Sequence, residues 1–223
     1  MKHTFFIKDW LNSFLSLLFP HCCVVCGRPL AKGEECLCIM CNINLPRTNY
    51  HLRKDNPVER LFWGQIPLER ATSFFFYRKG SDFRQILHQL KYGGKKEVGI
   101  IMGRYMAAEL LDSGFFEGVD VIIPIPLHKK KQQIRGYNQS ECIARGIAAV
   151  TGITVCVESV VRRKNTETQT RKSVFERWEN VDGIFELNHA DSLTGKHILI
   201  VDDVLTTGAT IIACASRLGE VEG

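Results

Sequence analysis

Short runs of continuous apolar residues alternate with helix-period segments along the last two-thirds of the chain. Val119 to Pro124 and His197 to Val201 read as buried strands, Ile153 to Val161 is strand-like, and Phe185 to Leu187 reads as a short strand. Ala71 to Tyr77, aromatic and β-branched, is predicted to be a further strand. Between them the apolar period changes. Ser81 is placed to cap a helix that carries Phe83, Ile86, Leu87 and Leu90 and stops at Tyr92-Gly93-Gly94. Further helices are predicted from about Glu97 to Leu111, from Asn138 to Val150 and from Thr210 to Leu218. Strands alternating with helices imply an α/β fold, a parallel sheet with flanking helices on both faces.

The first seventy residues follow another pattern. Trp10, Leu11, Phe14, Leu15, Leu17 and Leu18 fall on one face of a helix ending at Pro20. Lys2 and Lys8 before this run imitate a signal peptide, but Asp9 and Asn12 interrupt it and no small-x-small cleavage site follows. The expected organisation is an amphipathic helix over 1–20, a cysteine module over 21–50, a connector over 51–70 and the α/β domain over 71–223. No run of about 18 apolar residues occurs, so no membrane span is expected.

Composition changes this picture only at the cysteines. The chain has 223 residues, 45% of them hydrophobic, and a net charge of +5, which permits an anionic partner without demanding one. Of nine cysteines, six lie between Cys22 and Cys41. Such clustering points to metal binding in a reducing compartment, hence a cytoplasmic location, rather than to disulfides. Cys23-Val24-Val25-Cys26 and Cys38-Ile39-Met40-Cys41 form two CxxC knuckles, each offering two thiolates to one ion. Gly27 suits the tight turn after the first knuckle, and the short spacing calls for a compact loop between them. Structural Zn²⁺ is the expected occupant, in place of a redox dithiol. Cys22 and Cys36 are spares, though Cys36-Leu37-Cys38 leaves open a shift of the set by one ligand, and His21 is a weaker candidate.

The chemistry concentrates near the C-terminus. The strand ending at Val201 delivers Asp202 and Asp203 to the carboxyl end of the sheet, where open α/β folds take ligands. Thr206, Thr207, Gly208 and Thr210 then turn the chain into a helix, offering backbone N–H groups and hydroxyls to a phosphate. Two carboxylates would repel a bare anion. They make sense as acceptors for ribose hydroxyls, with Mg²⁺ offsetting charge, so the loop asks for a sugar carrying a 5′-phosphate. Two basic segments complete the set. His128, Lys129, Lys130, Lys131 and Arg135 follow the strand at 119–124 and offer cations to a pyrophosphate. Residues 162–173 carry Arg162, Arg163, Lys164, Arg171 and Lys172 without an apolar period and read as a mobile loop, with Arg177 beyond it.

These residues resemble the signature of type I phosphoribosyltransferases. The order of the cysteine module, Leu90-Lys91-Tyr92, Pro124-Ile125-Pro126, Arg135 to Gln139 and the terminal loop is similar to that of the ComF family, including ComFC and GntX, over nearly the whole chain. The resemblance implies a type I phosphoribosyltransferase-like sheet preceded by a small four-cysteine zinc module. It implies that Asp202 and Asp203 contact the ribose of phosphoribosyl pyrophosphate (PRPP), and that Thr206, Thr207, Gly208 and Thr210 hold its 5′-phosphate. It implies that His128, Lys129, Lys130 and Arg135 form a pyrophosphate loop, and that Gln169, Arg177 and Asn180 belong to a flexible hood. By the same resemblance the metal ligands are Cys23, Cys26, Cys38 and Cys41.

Two functions follow as expectations. One is transfer of the phosphoribosyl group from Mg²⁺-bound PRPP to an acceptor the residues do not name, with a link to DNA uptake in competence. The other is a PRPP sensor or single-stranded-DNA-binding protein of the transformation machinery, with Tyr92, Tyr137 and Trp178 available for stacking and a competence protein as partner. A glutamine-dependent amidotransferase is set aside, because no N-terminal nucleophilic cysteine is present. The chain stops soon after its last predicted helix, where that family continues through a strand and tail. The expectation is therefore a missing edge strand or a truncated product, with the ligand site complete.

Overall fold

The computed structural model describes residues 20–163 and 183–221. The predicted N-terminal helix and most of the segment read as a mobile loop, with Gln169, Arg177, Trp178 and Asn180, lie outside the described residues. In chain order, the cysteine module holds the short helix α1 (Ile39–Ile43), and α2 (Pro57–Arg60) follows in the connector. Then come α3 (Arg84–Tyr92), α4 (Lys96–Leu110), β1 (Val121–Pro124), α5 (Lys129–Arg135), α6 (Gln139–Thr151), β2 (Thr154–Val155) and β3 (Val160–Arg162). The chain closes with β4 (Phe185–Leu187), β5 (Ile198–Val201) and α7 (Ala209–Leu218).

The sheet is parallel with order β2-β1-β5, and its register pairs Val121 with Ile198 and Pro124 with Val201. Alternation assigns the two faces. Val121, Ile123, Ile198 and Ile200 pack with Ala213, Cys214 and Leu218 of α7 and with Val160 and Phe185. Ile122, Leu199 and Val201 pack with Ala107 of α4 and with Ala144 and Ile147 of α6. Both faces are covered, which explains why these strands are continuously apolar. Helices α4 and α6 lie close enough that a Cβ on Gly103 would stand 2.2 Å from the Ile143 carbonyl oxygen, and one on Gly146 2.1 Å from that of Ile100.

Three predicted elements take a different form. Ala71 to Tyr77 is not a strand: it makes one bridge, Arg47 to Phe75, flanked by Thr48 N–H to Phe74 O (3.1 Å) and Phe76 N–H to Pro46 O (2.8 Å). Its partner turns away at Asn49, which is left-handed (φ 55°), so no ladder can grow. Ile153 to Val161 divides at residues 156–159 into β2, in the parallel sheet, and β3, which pairs antiparallel with β4. Cys156 N–H still bonds Ile122 O (2.9 Å), and the chain then leaves the sheet. The basic segment after β1, expected as a pyrophosphate loop, is largely helix. The His128 side chain accepts from Lys130 N–H, and the Lys and Gln residues that follow favour helix until Gly136 ends it.

The connector is more ordered than its polar composition suggests. Asn56 is buried and forms a capping box with Glu59 at the start of α2. Val58 and Phe62 then pack on Ile212 of α7, with Leu205 and Ile211 beside them. The cysteine module is also docked: Leu37, Cys38 and Leu45 cluster with Ile86 of α3 and Val98 and Met102 of α4.

Candidate phosphoribosyl site and metal centre

The order β2-β1-β5 reverses direction at β1: the connection through α6 leads to one side, and β5 lies on the other. The carboxyl ends of β1 and β5 therefore form the topological switch point, the place where open α/β sheets take ligands. Asp202 and Asp203 stand at its β5 side, and the turn leading to α5 at its β1 side. The Asp202 carboxylate accepts from the Ser140 hydroxyl (3.0 Å) and from the Asp203 backbone N–H (2.8 Å). Asp203 is held by the Lys91 ammonium, 3.0 Å from Oδ2 and 3.2 Å from Oδ1.

Burial pushes the Asp202 carboxyl up to about 6, and the adjacent Asp203 charge adds to the rise. Hydrogen bonds from Asp203 N–H and Ser140, and the Lys91 charge, act against it without cancelling it. Arg162, on β3, is pushed below its usual value by burial, and the Asp202 charge partly offsets that. It stacks over Phe185, 5.5 Å from the ring centre. Thus Arg162 belongs to a strand, and Arg163 pairs with Glu186 across the same ribbon.

Beyond the acid pair, Thr206 and Thr207 are exposed and Thr210 is half-buried in the first turn of α7. Gly208 precedes that helix with φ 78° and is buried. A Cβ there would meet Phe62 Cε1 at 2.8 Å, so the connector backs the turn and only glycine meets both demands.

The first half of the chain holds a second centre. Sγ atoms of Cys23, Cys26, Cys38 and Cys41 all lie within 4.8 Å of one another. Cys26 and Cys38 are 3.7 Å apart, close to the roughly 3.8 Å edge of a thiolate tetrahedron around zinc with ~2.3 Å bonds. These four can hold a metal ion; Cys22 and Cys36 are not part of the group. That grouping settles the open question of a one-ligand shift toward Cys36, whose thiol lies in the module core, where burial pushes it up to about 12. Burial also raises Cys23, but backbone N–H groups of Cys26, Cys38 and Val25 outweigh it and bring the thiol down to about 7. Burial and shared hydrogen bonds within the set raise Cys41. The loop between knuckles is compact because Glu34 accepts from both Ala31 N–H and Ile39 N–H at 2.7 Å.

Comparison with known proteins agrees with this geometry. Residues 137–223 match the phosphoribosyl transferase domain family. The chain is 29% identical over 217 residues to the DNA utilization protein YhgH of Shigella flexneri, covering 91% of this chain and 92% of that protein. It is 25% identical over 209 residues to the competence protein ComFC of Bacillus subtilis, 94% of this chain and 76% of that one. Competence protein F of Haemophilus influenzae is 33% identical over 93 residues, 41% of each chain. The chain is a homologue of the ComFC and YhgH proteins with a phosphoribosyltransferase domain.

In this ComFC/YhgH homologue the cations of α5 divide by environment. Lys129 and Lys130 are exposed, and His128 is half-buried as the helix cap. Arg135 turns inward: its Nη1 donates to Gln139 Oε1 at 2.7 Å, and its guanidinium lies 5.6 Å from the Tyr92 ring centre. Asn138 caps α6 as expected and also donates to Ile125 O (2.9 Å), tying that helix to the end of β1. Sequence reading missed the roles of Ser140, Lys91 and Phe62. Ser140 and Lys91 lie 62 and 112 positions from their aspartates, and no local pattern marks such pairs. Among the described residues, no helix is long and apolar enough to cross a membrane.

Proposed function

We propose that the chain binds PRPP, or a related ribose 5-phosphate ligand, and acts as a phosphoribosyltransferase-like protein linked to DNA uptake. The observation that carries this reading is the half-buried Asp202–Asp203 pair at the end of β5, joined through a left-handed Gly208 to the start of α7. The carboxylates accept from the ribose hydroxyls, and Thr206, Thr207, Gly208 and Thr210 receive the 5′-phosphate. His128, Lys129, Lys130 and Arg135 meet the diphosphate, with Gln169 and Arg177 completing the set. In transfer, the bond from the ribose C1 to diphosphate breaks as an acceptor bonds to C1. The protein's part is to orient the sugar and neutralise the departing charge.

An oxygen-only donor pair with a costly ionised state fits a hard cation, and Mg²⁺ carried with the diphosphate would supply charge neutralisation beside Asp202 and Asp203. The four-thiol cluster fits Zn²⁺, held by Cys23, Cys26, Cys38 and Cys41, which would supply folding energy to a module too small to hold a core alone. Its need for reduced thiols favours a cytoplasmic location.

Isothermal titration with Mg²⁺-PRPP, beside Asp202→Asn/Asp203→Asn, tests the site. Binding by the parent that the double variant loses is the expected result; heat unchanged in the variant would refute it.

A second reading, a non-catalytic PRPP sensor or single-stranded-DNA-binding protein, is favoured by the exposed Lys129 and Lys130 and by the relatives' names, DNA utilization and competence protein. A competence-machinery protein is the partner class that goes with it. Affinity for single-stranded DNA that falls steeply with salt, less so in Lys129→Glu/Lys130→Glu, with no base-dependent pyrophosphate release, would select it.

A further inference from the structure

A cation in direct contact with the acid pair comes from outside the matched domain. Lys91 occupies the last turn of α3 and reaches both carboxylate oxygens of Asp203, at 3.0 and 3.2 Å. Its side chain is 23% exposed and that of Asp203 14%, so the pair is substantially shielded. Two contacts fix where this turn stands. The Tyr137 hydroxyl donates to the Leu90 carbonyl at 2.6 Å, linking α3 to the segment before α6. Arg135 stacks on Tyr92, the residue after Lys91, so the ends of α3 and α5 bring their cations close together.

We propose that Lys91 is a ligand-binding residue of the phosphoribosyl site, which turns its ammonium from the Asp203 carboxylate to the diphosphate of the incoming ligand. This rests on the PRPP reading above. A diphosphate approaching two carboxylates meets like-charge repulsion, and an ammonium already on the pair reduces it. When ribose hydroxyls take the Asp203 oxygens, the ammonium loses part of its partner. A lysine offers three donors on a flexible four-carbon stem, so it can keep one carboxylate contact and turn another donor to a phosphate oxygen. The contact is selective by chemistry: a ligand with diphosphate on C1 gains it, and ribose 5-phosphate does not.

The experiment is isothermal titration of the zinc-loaded full chain with Mg²⁺-PRPP and, separately, with ribose 5-phosphate, for the parent, Lys91→Met and Lys91→Arg. Loss of one charge-assisted contact predicts about a tenfold weaker PRPP affinity in Lys91→Met, with ribose 5-phosphate changed less than about threefold. Lys91→Arg should recover part of the loss. Should Lys91→Met fold poorly, Lys91→Gln, which still donates to Asp203, must show the same split between ligands. Unchanged PRPP affinity, or equal losses for both ligands, would reduce Lys91 to a structural ion pair while leaving the site reading intact. A parent protein that binds no PRPP would remove both.

Discussion

Asp202 carries an electrostatic cost that its neighbours only partly offset. Its carboxyl titrates at about 6 in the folded chain, above the ordinary value of 3.8. The folded state therefore binds more protons than the unfolded one between those values, and stability falls as pH rises through that window. Asp202→Asn keeps an acceptor for Ser140 and Asp203 N–H while removing the charge. The variant should melt higher than the parent at pH 7.5, by about 1–2 kcal/mol after allowance for the exposed part of the side chain. The advantage should vanish near pH 4, and thermal melts at both pH values check this; an equal gain at pH 4 would point to another cause. Gly208 is constrained on two sides, by its left-handed backbone and by Phe62 2.8 Å from a would-be Cβ. Gly208→Ala should cost about 1–3 kcal/mol in urea unfolding, and Phe62→Leu in that background should return part of it, since the two share one contact.

At the scale of elements, α4 and α6 form a close helix pair at Gly103 and Gly146. Neighbouring backbone carbonyls occupy the space a Cβ would need, so no side-chain rotation can relieve an added methyl. Gly146→Ala should lower stability by at least about 2 kcal/mol, read as the urea midpoint, because the helices must separate. A change under about 0.5 kcal/mol would mean that they slide freely, contrary to this packing. Helix α5 behaves differently. It presents exposed lysines and is tied to the start of α6 through Arg135, so Lys129→Ala and Lys130→Ala should leave the melting temperature nearly unchanged while weakening binding of Mg²⁺-PRPP.

Over the whole molecule, two outlying segments support the phosphoribosyltransferase domain from different sides. The connector places Phe62 behind the Gly208 turn, and the cysteine module packs Leu37, Cys38 and Leu45 on α3 and α4. Arg47 of the module also pairs with Glu109 of α4 at 2.6 Å. Since α3 carries Lys91, the four-thiol module and the acid pair are joined through one short helix. Removing the ion with a chelator should release one Zn²⁺ per chain, lower the melting temperature and weaken PRPP binding together. Cys38→Ser should do the same. If chelation destabilised the module with PRPP affinity intact, α3 would be held by the main domain alone.

What the sequence determined by itself was local. Apolar runs placed β1 and β5, an asparagine placed the start of α6, and two CxxC knuckles marked the four thiols that converge. Each of these signals lies within a few residues, where backbone geometry links position to structure directly. The acid pair and glycine turn were legible for the same reason. Tertiary structure decided the rest. Whether 71–77 became a strand depended on a partner that turned away at Asn49, and 153–161 divided because its two halves joined different sheets. The basic segment expected as a loop was a helix, because its run of Lys and Gln favours that form. Ser140, Lys91 and Phe62 reached the site only through packing of distant segments, which leaves no periodic trace in the chain. Contacts at long sequence separation depend on how whole elements stack, and only the assembled sheet and helices specify that.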